Sequence, residues 1–217
     1  MKALELPPTV RTAREDEVTP HEEVLKRLKA REAALIREGY TLRPNPSTDV
    51  PFRFFSEINI DNSRLWDLFT ALAARMPNEL SLIYGHIDEE SAYGRYLPKE
   101  ELLEALAPYR LELTQDGMLE AGLIYQDEER LEEVFIRRAK YLQFWGVDEA
   151  AFRNVMQTFG LEPVEGLSFI DDFPLATEPL RQHRPEARDT DEVLKELAER
   201  FSPNPPKAES APAQEPG

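Results

Sequence analysis

Residues 134–146 read VFIRRAKYLQFWG, and the strand count of the protein turns on whether this run is one helix or two strands. As a helix it places Leu131, Val134, Phe135, Leu142 and Trp145 at plausible spacing, with Glu133 four residues before Arg137. As two strands broken near Arg138–Ala139, it groups Val134 with Ile136, then Tyr141 with Trp145 on one face and Leu142 with Phe144 on the other. Aromatic and β-branched residues crowd two short runs, which favours strands, with the helix as the competing reading. The aromatics then read as core filling in preference to a cage for a cation. Gly146 closes the run in either case.

Working outward toward the C-terminus, DEAAFRNVMQTFG predicts a helix capped by Asp148, striped by Phe152, Val155, Met156 and Phe159, and stopped at Gly160. Prolines 163, 174, 179 and 185 then mark an irregular segment with one short strand expected near Phe169. TDEVLKELAERF predicts an amphipathic helix through Val193, Leu194, Leu197 and Phe201. Residues 202–217 hold five prolines and no apolar side chain larger than alanine, the composition of a disordered tail.

Toward the N-terminus, RLELTQDGMLEAGLIYQ carries Asp-Gly between alternating runs, a hairpin signal. A two-residue turn would set Leu113 against Glu120; a three-residue loop, Gln115 to Gly117, pairs Leu113 with Leu119 and is preferred. LPKEELLEALAPYR predicts a short helix opened by Pro98 and closed by Pro108. FRFFSEINI, DNSRLWDLFTALAARMP and LSLIYGHI read as strand, helix and strand; if the strands are adjacent and parallel, their crossover is right-handed. VTPHEEVLKRLKAREAALIREGY predicts a helix over 19–39, with a capping box from Thr19 to Glu22 and a stop at Gly39, attached loosely through the proline-marked loop TLRPNPSTDVP. The expected fold is a single α+β domain over 19–201: a mixed sheet of five or six strands packed against helices, with a flexible 1–18 and a free tail.

The chain has 217 residues, 41% of them hydrophobic, enough for one sizeable core. It has no cysteine, which excludes disulfides, thiolate metal sites and cysteine nucleophiles. With no apolar leader and no membrane-length apolar run, the expected location is the cytoplasm. The net charge is −16. Residues 1–50 balance nine acids with nine bases, so the negative charge belongs to the rest of the chain. Such a surface disfavours nucleic acid and anionic membranes and steers basic partners.

Phosphate-binding glycine loops, the G-x-S-x-G elbow, H-E-x-x-H and EF-hand loops are absent from the sequence. Of three histidines, His21 reads as an exposed helix-start residue, whereas His86 ends a predicted strand where Glu57 or Asp88 could orient its imidazole as a general base. The acidic clusters Asp88, Glu89 and Glu90, Asp127, Glu128 and Glu129, and Asp171 and Asp172 read first as solvated loops, with a carboxylate metal site or an anionic rim for a basic partner as the functional alternatives. Adjacent loop acids do not by themselves converge on an ion, so neither a metal nor a cofactor is expected. The leading expectation is a non-enzymatic interaction protein, in its most concrete form an immunity or inhibitor protein for a basic toxin or nuclease. The alternatives are a small hydrolase or transferase built on His86 with Glu57 and Asp88, and a scaffold using the first and last helices.

Overall fold

The computed structural model describes residues 2–47 and 49–203. The expectation of a disordered tail falls largely on residues 204–217, outside the described residues. Nine strands and six α-helices occur among the described residues: β1 (Val10–Thr12), α1 (Glu22–Ala30), β2 (Gly39–Pro44), β3 (Phe54–Asn59), α2 (Asn62–Ala73), β4 (Glu79–His86), β5 (Ala92–Pro98), α3 (Lys99–Leu106), α4 (Arg110–Gln115), β6 (Leu119–Gln126), β7 (Leu131–Ile136), β8 (Leu142–Gly146), α5 (Glu149–Thr158), β9 (Leu175–Thr177) and α6 (Thr190–Phe201).

The opening run is two strands, β7 and β8, joined by a tight connection in which Lys140 N–H donates to the Arg137 carbonyl. They are the central members of a seven-stranded sheet ordered β2-β3-β8-β7-β6-β4-β5. The sheet is larger than the expected five or six strands, and it is not mixed: every neighbouring pair is antiparallel. The reason lies in the connections. Four neighbouring pairs, β2–β3, β4–β5, β6–β7 and β7–β8, are consecutive in sequence, and links this short can only reverse the chain. β3, α2 and β4 do form strand, helix and strand, yet β8, β7 and β6 separate the two strands, so there is no adjacent parallel pair.

One face of the sheet carries the main core. Phe54, Ile58, Leu142, Phe144, Val134, Ile136, Ala121, Leu123, Leu82 and Tyr84 pack against α2 (Leu65, Leu68, Phe69, Leu72), α5 (Phe152, Val155, Met156) and α6 (Val193, Leu197, Phe201). The Phe144 and Phe152 rings stack 5.4 Å apart, and Phe54 tilts against Phe152 at 5.2 Å. Each fully buried ring of this kind contributes about 2–3 kcal/mol. A second cluster joins Val10, Ile36, Tyr141, Val164, Leu167, Phe169 and Phe173. It folds over one end of the opposite sheet face, where Asn59 Nδ2 donates to the Ser168 carbonyl at 3.0 Å.

Several expectations are corrected. The helix expected over 19–39 is confined to Glu22–Ala30, with His21 at the N-cap and no side-chain capping bond. Its last apolar pair is drawn elsewhere: Ile36 is buried in the second cluster and Leu35 packs against it. Gly39 does not stop a helix but opens β2, at φ 147°, where a Cβ would lie 2.5 Å from Val164 Cγ2. The segment expected to be a loop after it therefore holds an edge strand. Residues 1–18, expected to be flexible, contain β1, which pairs with β9, and that pair replaces the short strand expected near Phe169. The Asp-Gly hairpin is also absent. Residues Arg110–Gln115 are helical, because Leu106, Tyr109 and Leu113 bury one helical face, and Asp116–Gly117 links that helix to β6. β5 went unanticipated, its sequence AYGRYLP showing weak alternation at a sheet edge.

The β7–β8 connection holds a buried cation. Lys140 has φ 58°, and its Nζ donates to the carbonyls of Leu113 at 3.2 Å and Leu119 at 2.7 Å. Burial lowers its pKa to about 8, with Asp116 and Glu120 opposing the shift. Asp116 in turn accepts from Met118 N–H at 2.9 Å and Thr190 Oγ1 at 2.7 Å, tying the hairpin to α4 and the start of α6.

Candidate functional site: the open face of the sheet

Strand register places two parallel rows of side chains on the face opposite the main core. One row runs Tyr96, Ser81, Ile124, Glu133, Trp145, Phe55 and Arg43, one residue per strand from β5 to β2. The second runs Tyr93, Ile83, Gly122, Phe135, Gln143, Glu57 and Thr41. Side chains in a row face their cross-strand neighbours at contact distance. The apolar cluster here, Ile83, Ile124 and Phe135 with Trp145 against it, is made of strand residues alone. Ile83, Ile124 and Phe135 are buried and Trp145 is half-buried.

The local geometry is specific. The Phe135 ring lies over Gly122, where a Cβ would come within 2.4 Å of Phe135 Cδ2. Phe55 and Trp145 pack ring to ring at 4.8 Å, and the Arg137 guanidinium sits 5.9 Å from the Phe135 ring centre. At the β5 end, Tyr93 and Tyr96 are 58% and 46% exposed, unusual values for large side chains on a strand. Tyr96 is nevertheless fixed in place, its hydroxyl accepting from Gln126 N–H at 3.0 Å.

Two carboxylates lie in these rows and differ sharply. Glu57 is compensated: Arg43 Nη2 donates to it at 3.1 Å and Gln143 Nε2 at 3.4 Å. Glu133 lies between Ile124 and Trp145 in its row, with no donor or cation among the described residues. Burial alone pushes its pKa up to about 7. A carboxylate held dry without a partner is costly to the fold, and it is where a cation arriving from outside gains most.

The residues singled out from sequence do not converge. His86 is on β4 opposite Leu119, on the helix-covered side by strand parity, and its Nδ1 accepts from Asp88 N–H at 3.3 Å. Glu57 is on the open face with β8, β7 and β6 intervening, about 19 Å away at roughly 4.8 Å per strand. His86 and Glu57 therefore do not form a base and its orienting partner. Asp88, Glu89 and Glu90 are exposed in the β4–β5 turn, and Asp127, Glu128 and Glu129 in the β6–β7 loop at the opposite end of the sheet, since β4 and β6 are antiparallel. Asp171 accepts from the Tyr141 hydroxyl at 3.3 Å, and Asp172 caps the Phe169 N–H at 2.7 Å. Asp127 is likewise used locally, accepting from the Glu129 and Arg130 N–H groups and the Tyr125 hydroxyl. Among the described residues, no three histidine, aspartate or glutamate side chains gather as metal donors.

Sequence reasoning missed Glu133, Tyr93, Tyr96 and Ile124 as site residues. A signal existed for one of them: grouping Val134 with Ile136 places Glu133 and Phe135 together on the other side of the same strand. No family model matches the chain, and comparison with curated proteins and with solved structures finds no significant match. Among the described residues no helix is long and apolar enough to cross a membrane.

Proposed function

We propose that the protein is a non-enzymatic binding protein whose open sheet face receives a basic partner protein. The observation that carries the reading is Glu133, a half-buried carboxylate with no partner among the described residues, set between Ile124 and Trp145 on the sheet face that also holds buried Phe135 and half-buried Phe55. An incoming lysine or arginine supplies the missing counter-charge, and the aromatic rings supply apolar area and cation–π contact around it. Aromatic centres flanked by charge are the composition of protein interfaces, where the central contacts carry most of the energy.

The overall charge supports the same partner chemistry. Acidic loops at both ends of the sheet raise the encounter rate of a basic protein and repel acidic ones. The finer form of the proposal is an inhibitor or immunity protein that covers the cationic site of a toxin or nuclease. Open aromatic sheets elsewhere stack nucleic-acid bases, but Glu57, Glu133 and the net charge of −16 oppose a phosphate backbone on this one.

The test is affinity capture with the whole protein, followed by titration calorimetry on the purified partner at low and physiological salt. A basic partner is expected, with affinity falling about tenfold or more for Glu133→Gln and for Trp145→Ala, and falling with salt. An acidic partner, or one bound equally well by the protein carrying both Glu133→Gln and Trp145→Ala, would sink the proposal.

A further inference from the structure

The fold supplies a cation to three glutamates that its strands draw out of water. Glu132, buried on the helix-covered side of β7, accepts from Arg130 Nε at 2.6 Å. Glu120 on β6 has Arg137 Nη1 at 3.3 Å and the Arg138 N–H at 2.8 Å, and Glu57 has Arg43 and Gln143. Glu133 is half-buried and has no such partner among the described residues. Its neighbours are uncharged: Ile124 flanked by Gly122 and Gln126 on β6, Trp145 flanked by Gln143 on β8, and Phe135 on its own strand. Beyond Ile124 the row continues through Ser81 to Tyr96, whose hydroxyl is bonded to the Gln126 N–H. Arg137, the next charged side chain on that side of β7, is held by Glu120 and lies over the Phe135 ring.

We propose that docking on this face is gated by a proton: Glu133 holds one in the free protein at mildly acidic pH, and a lysine or arginine enters beside it only as that proton leaves. The gate rests on the reading of the face as the site of a basic partner. In the exchange the carboxyl O–H bond breaks and the proton passes to solvent. The carboxylate then accepts a charge-assisted hydrogen bond from an ammonium or guanidinium that stays protonated throughout.

The geometry explains why the free protein keeps the proton. Between Ile124 and Trp145 an ionised carboxylate loses part of its water and gains no counter-charge, which pushes its pKa up to about 7. An incoming cation removes that penalty. The exchange therefore falls near neutrality, where an exposed glutamate is ionised on both sides of the transition. Acidification by about two pH units closes the face and releases the partner.

The probes are Nα-acetyl-arginine amide and its uncharged isostere Nα-acetyl-citrulline amide, each titrated into the full-length protein and followed at the Glu133 amide and the Trp145 indole N–H. Affinity for the arginine probe is expected to fall about 20-fold from pH 7.5 to pH 5.5, the dependence of a single carboxyl titrating near 7. The citrulline probe is expected to show no such dependence, and Glu133→Gln to abolish it for arginine. Histidine also changes charge in this range, but His21, His86 and His183 lie outside the two rows and remain in Glu133→Gln, so that variant isolates the carboxyl. Arginine binding that is flat with pH, that keeps its pH dependence in Glu133→Gln, or that moves neither reporter would overturn the gate. Two outcomes part the gate from the docking function. Binding that is flat with pH yet lost in Glu133→Gln rejects the gate alone. A gated arginine site in a protein whose captured partner is acidic rejects the docking function alone.

Discussion

If the open face docks a basic partner as proposed, Glu133 is the residue at which stability and binding pull in opposite directions. Its carboxyl ionises near 7 in the fold, against 4.5 for a free glutamate, so between those values the folded protein holds a proton that the unfolded chain has lost. Its contribution to stability is fully present below pH 4.5 and is lost as pH rises through 7. At about 1.4 kcal/mol per pKa unit, the ionised side chain costs up to about 3 kcal/mol above neutrality, less where solvent reaches its exposed edge. Glu133→Gln is therefore expected to stabilise the protein by about 1–3 kcal/mol at pH 8 and to change little at pH 4, as urea unfolding at the two pH values would show. A stabilising substitution that weakens partner binding is the mark of a residue kept for recognition. The same side chain was legible in the sequence only as one of two glutamates before Val134; its lack of a cation depends on which strands flank it.

At the scale of elements, periodicity identified α2, α5 and α6 because each buries a full stripe against the sheet. It failed where a short element borrows its stability from elsewhere. α1 has no buried residue, so its apolar stripe did not oblige the helix to continue, and the chain turned Ile36 into the second cluster instead. α4 was mistaken for a strand because Leu111 and Leu113 alternate, whereas its position is fixed by Leu113 in a helical row. β6 shows how closely the open face is fitted. Gly122 leaves room for the Phe135 ring, and an added Cβ would also come within 2.7 Å of the Val134 carbonyl oxygen. Gly122→Ala is expected to destabilise by about 1–3 kcal/mol and to displace the Phe135 ring, measurable as a lower urea midpoint together with altered aromatic shifts of Phe135 and Trp145.

For the whole molecule, the proposed docking function assigns encounter to charge placement and hold to the open face. Asp88, Glu89 and Glu90 are exposed in the β4–β5 turn, away from the two rows. Neutralising them together (Asp88→Asn, Glu89→Gln, Glu90→Gln) is expected to slow association with a basic partner about two- to tenfold at low salt while leaving dissociation unchanged. Stopped-flow kinetics would check this, and a change in dissociation alone would show that the turn touches the partner directly. Glu133→Gln and Trp145→Ala are expected to act instead on dissociation, because they remove proposed short-range contacts to the partner.

The sequence by itself determined the α+β class, the three amphipathic helices and the net negative charge, since each follows from local periodicity or composition, and it favoured two strands over a competing helix for residues 134–146. Tertiary structure decided the rest. The sheet became wholly antiparallel with seven members because consecutive strands are joined too tightly to cross over, and β2 and β5 joined its edges by pairing and by packing Tyr40, Leu42 and Leu97 onto the main core. Which aromatics are core and which face outward follows from strand parity: Phe144 is buried under α5, whereas Trp145, one residue on, stands beside Glu133 on the open side. Local sequence encodes that alternation, but only the packing of every helix in the main core onto one side of the sheet left Glu133 and Trp145 on the other.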